Sequence, residues 1–208
     1  MPKKEVPIDH LQNYLPPATA DAVTVYLHQF NVHLTIAKER RSILGDYRHR
    51  THLANHRISV NGNLNHWSFL ITLLHELAHL LTFEKYNNKV PAHGREWKTI
   101  YGQLLQQFLE NKTFPADIEK ELLGSLKNPA ASSCAEEGLL RVLRKYDKRQ
   151  NHYRLVEEVS FQAMFRLRDG RIFQKGEKLR KRFKCREIET GKVYLFSPVY
   201  EVEVVSGE

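Results

Sequence analysis

The spacing of apolar residues divides the chain into a helical first part and a strand-like last part. After the turn dipeptide Asn61-Gly62, apolar side chains at Phe69, Leu70, Leu73, Leu74, Leu77, Leu80 and Leu81 follow the helical period, which predicts a helix over about residues 66–85 with Asn65 as its cap. Trp97, Ile100, Tyr101, Leu104, Leu105 and Phe108 repeat the pattern and predict a second amphipathic helix over about 96–109, with a shorter one near 118–126. Upstream, Ala22, Val23, Val25, Tyr26 and Phe30 follow a Pro-Pro pair and predict a packing helix. "VHLTIAK" and "RISV" alternate apolar with polar residues and predict two half-buried strands. The intervening "RRSILGDYRHRTHLANH" reads as a basic segment containing turns. Beyond "KNPAASSCAEEG" the period changes: runs rich in Phe, Val, Tyr and Ile are separated by Asp169-Gly170 and Thr190-Gly191, which predicts a small antiparallel sheet or barrel.

These elements imply an α+β fold. A helical domain with a small antiparallel sheet is expected over 1–126, a linker over 127–140, and a basic β-rich domain over 141–208. At 208 residues the chain can bury a core of its own, and its 41% hydrophobic and 27% charged residues are ordinary for a soluble globular protein. No apolar run approaches the roughly 20 residues needed to span a bilayer. The start, "MPKKEVPIDHLQNYLPP", interleaves acids and prolines where a secretory signal needs an unbroken apolar stretch, so a cytoplasmic protein is expected. Cys134 and Cys185 stand far apart, outside any paired-cysteine motif, and are expected as free thiols. The net charge of +8 is uneven: residues 139–192 hold 17 Lys and Arg against 7 Asp and Glu, so the basic character belongs to the C-terminal third.

Candidate chemistry sits in "LLHELAHLL". Histidines four apart on a helix project from one face, so His75 and His79 can reach a single ion. Glu76 is rotated away from that pair, where it can act on a water at the metal without ligating it. A catalytic zinc site takes three protein ligands and keeps a fourth position open, so a third ligand is needed. Thr82 and Lys85 stand where the metzincin pattern requires Gly and His, which excludes that pattern. His93 in "VPAHGREW" is the next candidate, beside a glycine that permits close approach and a helix anchored by Trp97; Glu96 is the rival. The plain alternative is an ordinary helix carrying two histidines.

The runs "ILGDY", "RISVNGNL", "LLHELAHLL" and "AHGREW" occur in the order seen in the SprT-like metallopeptidases, the family of bacterial SprT and eukaryotic Spartan, and over about residues 8–108 the chain resembles that family. The resemblance implies a zincin-like domain binding one zinc ion through His75, His79 and His93, with Glu76 as general base. It further implies hydrolysis of peptide bonds in proteins bound or crosslinked to DNA. The C-terminal zinc ribbon that several relatives carry is not expected, because its paired cysteines are missing. The competing class is a non-catalytic nucleic-acid-binding protein with a structural metal site.

In "KLRKRFKCR" the residues Lys178, Arg180, Arg182, Lys184 and Arg186 alternate, and on one strand they would form a cationic ladder suited to DNA phosphates. A solvated edge strand explains the same pattern. Tyr194 and Phe196 could stack on bases, although aromatic residues at this spacing more often fill a core. His49, His52 and His56 lie among Arg48, Arg50 and Arg57, whose charges would repel a cation, and are expected in a solvated loop near the site entrance. His10, His28, His33, His66 and His152 receive no role.

Overall fold

A computed structural model of the chain describes residues 8–40, 42–126, 128–147 and 152–205. It divides into two compact units, residues 1–147 and 148–208. The α+β class expected from the sequence is the one found. No helix among the described residues is long and apolar enough to cross a membrane.

The first unit is built around one buried helix. In order it holds α1 (Ala20–Gln29), β1 (His33–Ala37), β2 (Gly45–Arg48), β3 (Arg57–Asn61), α2 (His66–Tyr86), α3 (Arg95–Glu110), α4 (Ala116–Ser125) and α5 (Glu137–Arg144). The sheet order is β1-β3-β2, with β1 parallel to β3 and β2 antiparallel to it, so the small sheet is mixed and β2 lies at its edge. α2 packs between this sheet and α3; Phe69, Leu70, Ile71, Leu73, Leu74, Leu77, Ala78 and Leu80 are all fully buried. A helix apolar on most of its circumference belongs in a core rather than on a surface, which is why its sequence stripe is so broad. Of the residues expected to face inward on α1, Val23 is buried but Val25 is 61% exposed; the inward pair is Val23 and Leu27, one turn apart.

Asn65 fixes where α2 begins. Its Oδ1 accepts a hydrogen bond from the Ser68 amide at 2.9 Å, and its Nδ2 donates to the Leu143 carbonyl at 3.0 Å and to Asp147 Oδ1 at 2.7 Å, tying α2 to α5. Asn65→Ala is therefore expected to cost about 2–3 kcal/mol, the lost cap plus the lost amide bonds to Asp147 and to the Leu143 carbonyl, which keeps the Tyr146 amide, measured by urea unfolding followed through helix circular dichroism.

α5 falls inside the stretch expected as linker and start of the β-rich domain, yet Leu139 and Leu143 lie in the core of the first unit. The chain divides between residues 147 and 148. The second unit is a six-stranded antiparallel sheet in the order β4-β9-β5-β6-β7-β8, made of β4 (Tyr153–Leu155), β5 (Met164–Arg166), β6 (Ile172–Leu179), β7 (Arg182–Glu187), β8 (Val193–Phe196) and β9 (Glu201–Val204). Phe165, Phe173, Cys185, Phe196 and Val202 form its core. Gly170 (φ 93°) and Gly191 (φ 70°) occupy the left-handed region at the two turns read from the sequence. Both cysteines are free and buried.

Candidate metal centre

α2 presents His75 and His79 on one face, and the loop ahead of α3 brings His93 to them. Ring centroids lie 5.0 Å apart for His75 and His79, 5.4 Å for His75 and His93, and 4.6 Å for His79 and His93. One ligand nitrogen from each lies within 4.8 Å of the other two, a grouping that can hold a metal ion. Glu96, the rival third ligand, is outside this group. Trp97, fully buried, supports all three imidazoles, with centroid distances of 4.7 Å to His75, 5.2 Å to His79 and 4.7 Å to His93.

The electrostatics suit a cation. Burial, reinforced by the neighbouring imidazoles, pushes His75 down to about 3 and His79 down to about 4; burial and then Lys98 lower His93. All three rings are thus neutral near pH 7, the form that offers a lone pair to a metal. Nδ1 of His75 and Nε2 of His93 are buried with no hydrogen-bond partner in the protein. Buried polar atoms are rarely left alone, and a bound cation with its waters meets that need.

Glu76 stands beside this group, 5% exposed. Burial, then the Asp46 carboxylate, push its carboxyl up to about 8, partly opposed by the Arg40 guanidinium. A carboxyl in that range can both accept and return a proton near neutral pH. Its position is set by β2, a strand inside the segment that the sequence predicts as basic and turn-containing. Gly45 and Tyr47 pair with Val60 and Ile58 and so face α2 with them. A Cβ built on Gly45 would lie 2.5 Å from Glu76 Oε1, so only glycine lets the strand approach the carboxyl this closely. Tyr47 stacks parallel to His79, with centroids 6.4 Å apart.

The segment leading into β2 is pinned by Asn61, 1% exposed, whose Nδ2 donates to the carbonyls of Arg40 and Ile43, and by Arg40, which donates to Asn61 Oδ1 at 2.8 Å and Ser59 Oγ at 2.9 Å.

One histidine of the expected solvated loop is instead buried. His56 is 2% exposed; its Nδ1 accepts from the Tyr47 hydroxyl at 2.9 Å, and its Nε2 lies 3.2 Å from Glu84 on α2, a carboxylate that Arg50 also approaches at 3.2 Å. Burial, then Glu84, push the Tyr47 hydroxyl up, so it stays a donor. The arrangement clips β2 to α2 just beyond His79. His49 stacks on Phe83 at 4.5 Å at the edge of the cleft, and His52 is exposed. Tyr47→Phe is expected to cost about 1–2 kcal/mol by removing the shorter of two hydrogen bonds to a buried ring nitrogen, which keeps the Arg50 amide at 3.3 Å, read as a lower urea midpoint with zinc content unchanged.

A cleft of about 680 Å³ opens at the centre, lined among others by Gly45 to Tyr47, by His75, Glu76, His79 and His93, and by Ala131 to Ser133. Gly45, Tyr47 and the pinning pair escape the periodicity reading; only the "ILGDY" resemblance pointed to that stretch.

The sequence model of the SprT-like family matches residues 17–120. The chain belongs to that family. No curated protein and no solved structure matches the chain. The matched stretch carries β2, the whole of α2 and the His93 loop, so the family's metallopeptidase-type domain and the histidine grouping coincide in the first unit.

The five cations expected on one strand are separated in the SprT-like chain. The backbone reverses at Arg180 (φ 46°), ending β6 before β7 starts. Arg182, Lys184 and Arg186 alternate outward on β7 while Cys185 and Glu187 are buried. Lys178 pairs with Phe183 across the hairpin and holds its Nζ 5.7 Å from that ring, on the opposite face from the three; Leu179 takes the outward place opposite Arg182. A register shift between Lys175 and Lys178 accompanies the break. Lys175 is itself buried, its Nζ donating to the carbonyls of Val159 and Glu157. Phe196 is in the core, and Tyr194 packs edge-on against Phe173 at 5.5 Å.

Proposed function

We propose that the chain is a zinc-dependent peptidase whose substrates are proteins held on nucleic acid. The observation that carries this reading is the convergence of three neutral imidazoles beside one buried carboxyl at the floor of an open cleft. His75, His79 and His93 hold the ion. Zinc bound there supplies an electrophile for the scissile carbonyl and lowers the pKa of water to roughly 7.

The chain's own residues do the rest. Glu76, next to the cluster, accepts a proton from the attacking water and returns it to the departing amine. Trp97 packs against all three imidazoles and the Tyr47 ring stacks on His79, which holds them in place. β2, paired only on its β3 side among the described residues, offers its free edge to an extended substrate. Main-chain hydrogen bonds along that edge take any sequence, which suits an enzyme acting on varied proteins.

In the second unit the outward row Arg182, Lys184 and Arg186 serves as a phosphate contact, with Arg180 at the turn, while Lys178 faces the other way. Among the described residues no acid pairs with these three.

Metal analysis of the purified chain together with digestion of casein, with and without DNA, tests the reading. About one zinc per chain, cleavage that a chelator stops and zinc restores, and DNA retention that weakens steeply with salt are expected. Zinc content without cleavage would make the centre structural, and a metal-free chain would remove the proposal altogether.

A further inference from the structure

A second groove, of about 740 Å³, shares His93 with the cleft. One wall is a face of α3: Arg95, Lys98, Thr99, Gly102, Gln103 and Gln106 recur at helical spacing, turned away from Trp97, Tyr101 and Leu105, which face the core. Leu123 and Leu126 from the end of α4 form the other wall. Gly102 keeps the walls close, since a Cβ there would meet the Leu126 carbonyl at 3.0 Å.

The charge of this groove is one-sided. Its lining residues include two cations and no carboxylate, while Glu96 Oε2 lies beside Gly94 and Glu110 accepts from the Gln106 amide at 2.9 Å. Arg95 is exposed, and no acid pairs with it among the described residues. Lys98 Nζ donates to Asn128 Oδ1 at 2.6 Å, a neutral partner that leaves its charge uncompensated. Both cations sit in the first turn of a 16-residue helix, whose N-terminal end adds further positive potential. Gln103 and Gln106, further along, are neutral.

Continuity through His93 and this charge together identify an occupant. The geometry points to a binding subsite for the substrate polypeptide itself, on the side of the scissile bond that passes His93, selecting an acidic side chain within the first two or three residues beyond that bond. The inference rests on the peptidase reading. From Arg95 to Gln106 the helix advances roughly 16 Å, room for about five extended residues. Only the positions nearest the cleft meet the cations; those beyond meet amides and two leucines, which accept most side chains.

Partly exposed ion pairs contribute modestly, so the expected preference for Asp over Asn is roughly two- to fivefold in kcat/KM. The test uses the full-length, zinc-loaded protein. Cleavage sites in casein are mapped by mass spectrometry, and peptides spanning one site are made with Asp or Asn at each of three positions on either side. Wild type is expected to favour Asp on one side only. Arg95→Glu with Lys98→Glu should reverse the preference, and Arg95→Gln with Lys98→Gln should erase it; zinc content and circular dichroism verify the fold of both variants.

Equal rates for Asp and Asn peptides, or a preference that survives both double variants, overturns the subsite while leaving the peptidase reading intact. Inhibition by a short oligonucleotide that the Glu variant escapes, with no Asp preference in wild type, assigns the groove to phosphate and also overturns it. If wild type cleaves nothing, the peptidase reading fails and the subsite falls with it.

Discussion

Glu76→Gln is expected to lower casein hydrolysis by roughly a hundredfold to ten-thousandfold, the range that a lost general base removes, while zinc content stays at the wild-type level. The substitution keeps the shape and length of the side chain, so the close approach of Gly45 and the burial at 5% exposure are undisturbed. What disappears is the ability to take a proton. Because burial pushes the Glu76 carboxyl up to about 8, it is a stronger base when ionised than an ordinary glutamate, and an amide offers no substitute. DNA retention by the second unit should be unaffected. Turnover within a fewfold of wild type would show that proton transfer does not pass through residue 76.

The elements that could be read from the sequence are those whose burial lies on a regular face. α2 runs over His66–Tyr86 against an expected 66–85, with Asn65 capping it as the side chain predicts, because seven large apolar residues and one capping residue leave little latitude. The spacing of His75 and His79 follows directly from that helix. His93 is different: nothing in periodicity ties the loop ahead of α3 to α2, and spacing alone leaves Glu96 as a rival. The family resemblance chose between them, and the folded grouping agrees.

What stayed hidden is structure created by partners distant in sequence. β2 spans Gly45–Arg48, where Tyr47 is the only large apolar residue; it is a strand because Gly45 and Tyr47 find α2, not because four residues show a pattern. The sequence places His56 among arginines as a solvated residue, yet Tyr47 bonds its Nδ1 and its Nε2 faces Glu84 on α2, contacts no local reading reveals. α5 was lost in a stretch whose small residues suggest a linker, because Leu139 and Leu143 acquire their meaning only in the core of the first unit. The cationic row failed in a more instructive way. Alternation from Lys178 to Arg186 presumes one strand, and a hairpin turn at Arg180 changes which side each residue faces.

The largest effect expected from a residue that touches neither metal nor proton comes from Gly45→Ala. The added methyl would meet Glu76 Oε1 at 2.5 Å, Thr72 Cγ2 at 2.8 Å and Glu76 Cγ at 2.9 Å, all inside ordinary contact distance. Thr72 is fully buried on a helix packed on most sides and cannot retreat, so either β2 lifts away from α2 or the carboxyl swings aside. Overpacking of this kind costs about 1–3 kcal/mol of stability. Its cost in activity should be larger, roughly a hundredfold, since a displacement of about 1 Å in a reacting group is enough for that loss. None of the three atoms nearest the methyl belongs to an imidazole, so zinc binding should persist and separate misplacement of Glu76 from collapse of the site. Gly124→Ala on α4, with nothing within 4 Å of its added carbon, is the matched control and should stabilise the chain by about 0.5–1 kcal/mol without changing turnover. If Gly45→Ala keeps wild-type turnover, the strand does not position the base, and the contact between β2 and α2 serves stability alone.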